Sequence, residues 1–134
     1  MDALLPFLIG IGLTIAVLGV NAAIGLHKER GVWPSLLIAI AAFYVVFAFE
    51  HSDHSGIGLQ SVIALGFMAL ALIGYKSSLW LIVAGLVLHG IFDAVSLAYT
   101  ANPAPNWWGP FCIGVDGLLA LMLCWWMLRG RIRP

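Results

Sequence analysis

Three ionisable residues in the later part of the chain have the types and the spacing of a chemical site. His89 and Asp93 are four residues apart, which puts both side chains on the same face of a helix. Asp116 follows in the next apolar segment, where a carboxylate needs a partner. Carboxylates and imidazoles act as general acids and bases, and they also bind divalent metal ions. We therefore predict that these three side chains meet.

A second group of polar residues lies earlier, where the sequence runs Glu50, His51, Ser52, Asp53, His54. Glu50 and His54 share the four-residue spacing, so a continuous helix would present both on one face. If that face meets the first group, a divalent metal could take ligands from both. The predicted ligand set is then His89, Asp93, Asp116, His54 and Glu50. The alternative is that residues 51–55 are a simple polar turn. The sequence contains no paired-cysteine or zincin signature, which argues against metal binding.

The chain that must position these groups has the composition of a membrane protein. Of its 134 residues, 63% are hydrophobic and 9% are charged, whereas soluble domains average about 25% charged residues. The net charge is zero, which argues against a nucleic-acid partner. Cys112 and Cys124 are too far apart on one helix to form a disulfide, and we interpret them as apolar packing residues.

Five apolar segments are long enough to cross a bilayer core, which takes roughly 17–25 helical residues. They are the segments 4–26, 34–50, 57–75, 79–99 and 109–128. Because the linkers are short, consecutive helices should be antiparallel neighbours. We predict an all-α integral membrane protein, a single transmembrane domain over residues 1–134 built as an up-down bundle of five transmembrane helices.

The basic residues predict the orientation of this bundle. All six follow an odd-numbered span, so they belong on one side of the membrane: Lys28, Arg30, Lys76, Arg129, Arg131 and Arg133. The positive-inside rule assigns that side to the cytoplasm. We therefore expect the N-terminus outside and the C-terminus in the cytoplasm.

This orientation brings polar residues from several spans into one layer in the outer half of the membrane. An ionisable group well inside a span costs about 2.5–3.5 kcal/mol on insertion scales, so it normally faces the bundle interior. We predict a buried pocket there. Its catalytic residues would be Asp93, Asp116 and His89, and its substrate contacts Glu50, Gln60, Ser96 and Trp108.

The sequence over residues 88–120 resembles a family of small, functionally uncharacterised bacterial integral membrane proteins. The resemblance rests on Leu-His-Gly-Ile-Phe-Asp at 88–93, on Asn-Pro at 102–103, on Phe-Cys at 111–112 and on Asp116. Members carry a His-x-x-x-Asp motif in a late helix, an Asn-Pro loop and an aspartate in the last helix. The resemblance implies that His89, Asp93 and Asp116 are the polar positions of the family.

This chain departs from the family pattern in two ways. Members often continue with a pair of histidines where this chain has Ser96 and Leu97, and the polar run at 50–54 is not a family feature. The resemblance implies a five-helix, multi-pass protein of the bacterial inner (plasma) membrane. It implies no reaction, because the family has no established activity.

The leading functional prediction is a small membrane enzyme, a hydrolase or an isomerase, that acts on a lipophilic small molecule. Asp93 and Asp116 would form a general acid/base pair, and His89 would orient a carboxylate, transfer a proton or help to bind a divalent metal. Two other classes stay open. One is a proton-coupled transporter; the other is a non-catalytic membrane subunit with structural polar pairs. Membrane lipids are the expected partners, and the sequence leaves the oligomeric state open.

Overall fold

The computed structural model describes residues 3–51, 54–98 and 102–134. Over these residues the chain forms five α-helices and one 3-10 turn, and no strand is present among them. The elements are α1 (Leu4–Ala23), the 3-10 turn (Leu26–Lys28), α2 (Val32–Glu50), α3 (His54–Lys76), α4 (Trp80–Ser96) and α5 (Trp108–Leu128). The prediction of an all-α fold with five helices is confirmed.

Four of these helices, α1, α2, α3 and α5, are long and apolar enough to cross a membrane. The remaining helix, α4, is also apolar but has only 17 residues, a length of about 26 Å at 1.5 Å per residue. It ends at Ser96, before the predicted boundary at residue 99. Helix α2 begins earlier than predicted, because Pro34 fits into its first turn, where backbone N–H groups have no partner within the helix.

The six basic residues lie at one end of the bundle, which we call the basic end. The Arg30 side chain joins the segments that meet there. Its Nε donates a hydrogen bond to the Tyr75 carbonyl at 2.8 Å, in the last turn of α3. Its Nη1 donates to the carbonyls of Arg133 at 3.1 Å and Pro134 at 2.7 Å, beyond the end of α5. This clustering of positive charge is the pattern on which the orientation prediction rests.

Helices α2, α4 and α5 form the centre of the bundle, and α1 and α3 flank it. Only 17% of the apolar stretch of α1 and 11% of that of α3 are buried, against 39% for α2 and 44% for α5. Helix α3 packs on α2 and α4, and α4 packs on α5. The largest fully buried apolar side chains come from α2, α4, α5 and the residue before α4: Trp33, Leu37, Leu79, Ile82, Leu86 and Leu123.

Helix α1 packs against α5 and not against its sequence neighbour α2. Two glycines allow this contact. A Cβ at Gly114 would lie 2.7 Å from the Phe7 carbonyl oxygen, and a Cβ at Gly10 would overlap the Phe111 carbonyl. The early residues of α1 thus meet the early residues of α5, so the two helices run parallel. The expectation that consecutive helices are neighbours fails for α1 and α2, because small residues set where helix backbones can approach closely.

Candidate functional site

Two pairs of side chains with the same four-residue spacing lie at the interface between α4 and α5. His89 and Asp93 come from α4, Cys112 and Asp116 come from α5, and Tyr44 reaches them from α2. All five side chains are less than 2% exposed. Residues four apart lie one turn from each other on the same helix face, so each pair points to the same neighbour. We call these five residues the polar cluster.

Hydrogen bonds run through the polar cluster from α2 to α5. The Tyr44 hydroxyl donates to Asp93 Oδ1 at 2.6 Å. His89 Nδ1 lies 2.8 Å from Asp116 Oδ2 and 3.4 Å from Asp93 Oδ2. With Asp116 ionised, the Nδ1–H group donates to the nearer of these oxygens. One imidazole nitrogen therefore stands between two buried carboxylates.

Three buried polar atoms of the cluster have no hydrogen-bond partner: His89 Nε2, Asp93 Oδ2 and Asp116 Oδ1. Most buried polar atoms in native proteins are paired, and an unpaired one costs about 1–3 kcal/mol. The six lysines and arginines, all within the described residues, lie at the basic end and form no ion pair with these carboxylates. The cluster thus has free capacity for a proton, a cation or a polar group of a ligand.

Aromatic rings surround the polar cluster on the side of α3. The Phe67 ring meets the His89 ring edge-on, with centroids 5.0 Å apart. The Phe92 ring lies 4.8 Å from the Tyr44 ring and 5.7 Å from the His89 ring. Such apolar walls exclude water, and they strengthen every electrostatic interaction inside the cluster because the local dielectric constant is low.

A cavity of about 370 Å³ lies between α3 and α4 beside these rings. Three polar residues and four apolar residues line it: Gln60, Ser96, Asn102, Leu59, Ile63, Phe92 and Val95. Gln60 Oε1 is buried and has no hydrogen-bond partner among the described residues. Phe92 belongs to the wall of the cavity and also contacts Tyr44 and His89. Phe92 is therefore a direct link between the cavity and the polar cluster.

The predicted site residues whose side chains are described fall into four locations. His89, Asp93 and Asp116 meet in the polar cluster, while Gln60 and Ser96 line the adjacent cavity. Trp108 is buried elsewhere, against the rings of Phe43 and Phe47, at centroid distances of 4.9 and 5.0 Å. Its Nε1 has no hydrogen-bond partner.

Glu50 is exposed at the end of α2 and does not belong to the group of potential metal ligands found among the described residues. The reason is helical geometry, because Glu50 follows the inward-facing Tyr44 by six residues, or about 240° around the helix. The side chain of His54 and all of Asp53 lie outside the described residues. A role for Glu50 or His54 stays a prediction.

The sequence argument missed two members of the cluster, Tyr44 and Cys112. Cys112 was interpreted as a packing residue, although its four-residue spacing from Asp116 indicates a shared helix face. Tyr44 lies in the middle of an apolar span, whereas tyrosines of membrane helices usually lie near the ends. A hydroxyl at that depth needs a partner, and this was the available signal.

The cluster can hold a proton or a metal ion. One ligand atom each from His89, Asp93, Cys112 and Asp116 lies within 4.8 Å of the others. Nitrogen, sulfur and carboxylate oxygen are the donor types of tetrahedral zinc sites. Without a metal, the same carboxylates and imidazole form an acid/base group with unpaired atoms available for a substrate.

Comparison with protein-family models, curated proteins and solved structures finds no match to this chain. The resemblance to small bacterial membrane proteins therefore rests on the motif residues alone. Two of its implications agree with the structure, which has five helices and carries His89 and Asp93 on a late helix.

Proposed function

We propose that this protein is a small membrane-embedded enzyme that uses acid/base chemistry on a lipophilic small molecule. The observation that carries the proposal is that Asp93 and Asp116 both face His89 Nδ1 through Oδ2, while Asp93 Oδ2 and Asp116 Oδ1 have no hydrogen-bond partner among the described residues. In this proposal one carboxylate accepts a proton from the substrate and the other returns one. His89 holds the two carboxylates in position and balances their charge.

The cavity between α3 and α4 supports a route for the substrate. Its apolar lining suits a lipophilic molecule, and Gln60 and Ser96 offer hydrogen bonds to a polar group on it. Rotation of the Phe92 side chain would join the cavity to the polar cluster. The reaction would then take place away from bulk water, where charged groups act most strongly.

The surface of the bundle supports a membrane location. Large apolar side chains are exposed along the outer helices; Leu13 of α1 is 51% exposed and Leu65 of α3 is 60% exposed. A surface of this kind is solvated by lipid and not by water. With the basic end in the cytoplasm, the cavity lies toward the outer leaflet of the plasma membrane.

The first test compares wild-type protein and Asp116→Asn in vesicles made from a total bacterial lipid extract. We expect the wild type to convert at least one component and the variant to lose about 100-fold or more of that rate, because its amide cannot accept a proton. Untargeted mass spectrometry detects the products. Parallel incubations in H₂¹⁸O and D₂O assign the reaction class, because hydrolysis incorporates ¹⁸O and isomerisation through proton removal incorporates deuterium.

Thr14→Val is the matched control for this test. Thr14 is buried, but its hydroxyl donates only to the Gly10 carbonyl of its own helix, at 2.8 Å. We expect this variant to keep full activity. Equal conversion by wild type and Asp116→Asn, with both proteins folded by circular dichroism, would refute the acid/base role.

A structural role is the competing candidate, and one observation favours it: the polar cluster is fully buried and joins three helices. Under that role, Asp93→Asn and Asp116→Asn would each lower the thermal unfolding midpoint. No substrate conversion would then be found for the wild type under any of the conditions above.

A further inference from the structure

We propose that the polar cluster is a binding site for one divalent transition-metal ion, with His89, Asp93, Cys112 and Asp116 as its four ligands. This inference goes beyond the proposed function and does not depend on it, because four protein ligands make a closed tetrahedral site, as in structural zinc sites. The group is drawn from two helices by paired four-residue spacings. It differs from the ligand set expected from the sequence, because Cys112 takes the place of Glu50 and His54.

The distances within the cluster are close to those of a metal site. Donor atoms around tetrahedral zinc lie about 3.3–3.8 Å apart, given bond lengths of about 2.0–2.3 Å. His89 Nδ1 is already 2.8 Å from Asp116 Oδ2 and 3.4 Å from Asp93 Oδ2. All four potential ligands lie within 4.8 Å of one another. Closing the set requires side-chain movements of about 1 Å.

Charge provides the second argument. Asp93 and Asp116 are both 0% exposed, and no lysine or arginine of the chain pairs with either. The two carboxylates share one imidazole, which offers at most a single positive charge against two negative ones. Negative charge left over in an apolar interior is costly, and one divalent cation would neutralise both carboxylates. Asp93 Oδ2 has no hydrogen-bond partner and faces His89 Nδ1. An unpaired buried oxygen at this position is suited to bind a cation.

The donor types select the class of metal. A cysteine sulfur and an imidazole nitrogen favour zinc and its first-row neighbours, such as Co²⁺. Mg²⁺ prefers six oxygen ligands and retains water, which a dry four-ligand cluster does not offer. Tyr44 would act as a positioning residue, because its hydroxyl holds Asp93 Oδ1 and so turns Oδ2 toward the metal position.

The experiment uses purified full-length protein in detergent, freed of metal with a chelator and then titrated with Zn²⁺, Co²⁺ or Mg²⁺. We expect one Zn²⁺ per chain by elemental analysis after desalting and a higher thermal unfolding midpoint with Zn²⁺ but not with Mg²⁺. Co²⁺ should give a thiolate-to-cobalt absorption band. A ratio near zero Zn²⁺ ions per chain, measured after incubation with saturating Zn²⁺ and desalting, would overturn the inference.

Cys112→Ser and Cys124→Ser form the matched pair. Both residues lie on α5, but Cys124 lies outside the group of potential ligands. We expect Cys112→Ser to lose the cobalt band and to weaken Zn²⁺ binding by more than about 100-fold, beyond the 10–100-fold effect of changes around a metal site. Cys124→Ser should match the wild type. Equal binding by the two variants would assign the metal to another location and refute the site.

Asp93→Asn serves if Cys112→Ser does not fold, because it keeps the side-chain shape and removes one ligand charge. Unchanged Zn²⁺ affinity in this variant would also refute the site. The two proposals fail separately. Conversion of substrate by a protein that binds no Zn²⁺ would overturn the metal site alone, whereas stoichiometric Zn²⁺ binding without any conversion would overturn the enzyme alone.

Discussion

Asp93 links α2 to the rest of the polar cluster through its two carboxylate oxygens. Oδ1 accepts the hydrogen bond of Tyr44 from α2, and Oδ2 faces His89 and, beyond it, Asp116 of α5. The Tyr44 hydroxyl therefore fixes the rotation of the carboxylate. A small change at Tyr44 should reach the whole cluster without altering its apolar packing.

Tyr44→Phe tests this connection at the scale of one atom. Removal of the hydroxyl leaves Asp93 Oδ1 without a donor, so we expect the free energy of unfolding to fall by about 1.5–3 kcal/mol, the range for hydrogen bonds to charged groups. Denaturant titration in mixed micelles, followed by circular dichroism, measures it. Tyr75→Phe is the control, because Tyr75 is 45% exposed at the basic end. Equal stability of the two variants would contradict the assigned role.

Sequence reasoning worked for residues whose chemistry is costly in an apolar segment. His89, Asp93 and Asp116 had to find partners, so their convergence followed from their depth in the spans. It failed for residues that can also be buried in apolar packing. Cys112 needs no polar partner, and whether it joins the polar cluster depends on how its helix is rotated. Glu50 lies two positions beyond the inward-facing Ala48 of α2, so its side chain is on the outer surface of the bundle.

Helix pairing is the feature of this fold that sequence reasoning reached least well. Apolar length predicted where helices occur, but it says nothing about which faces meet. The contact between α1 and α5 depends on Gly10 and Gly114, whereas Gly12 and Gly117 on the same helices have no atom within 4 Å of an added Cβ. Only the packed structure separates the first pair from the second.

These two pairs of glycines provide an internal comparison. Gly10→Ala and Gly114→Ala should each destabilise the protein by about 1–3 kcal/mol, because the added methyl group meets a backbone carbonyl that cannot move aside easily. Gly12→Ala and Gly117→Ala should be neutral or stabilise by up to about 1 kcal/mol, because alanine favours the helix. Thermal unfolding of the four variants measures these changes in stability. Similar unfolding midpoints for all four variants would show that α1 does not pack on α5 through these glycines.

At the scale of the whole molecule, charge and polarity are separated along the bundle. The basic end holds all six lysines and arginines, while the cavity with Gln60, Ser96 and Asn102 opens toward the other end. A bundle of this kind has one favoured orientation in a membrane. The proposed site then draws its substrate from the outer leaflet or from outside the cell.

Cysteine labelling in intact cells tests that orientation. We expect Asn106→Cys, exposed just before α5, to react with a membrane-impermeant maleimide, and Ser77→Cys, exposed at the basic end, to react only after the cells are permeabilised. The wild type is the blank, because Cys112 is buried and Cys124 lies within α5. The reverse labelling pattern would place the basic end outside.

The parallel contact between α1 and α5 also has a consequence for biogenesis. Helix α1 is synthesised before its partner α5, so in a membrane-spanning bundle its glycine face would be covered by lipid until α5 is made. The remaining helices can pair as they emerge, since α2 meets α3 and α4 meets α5. Docking of α1 joins distant parts of the chain and should be the closing step of assembly.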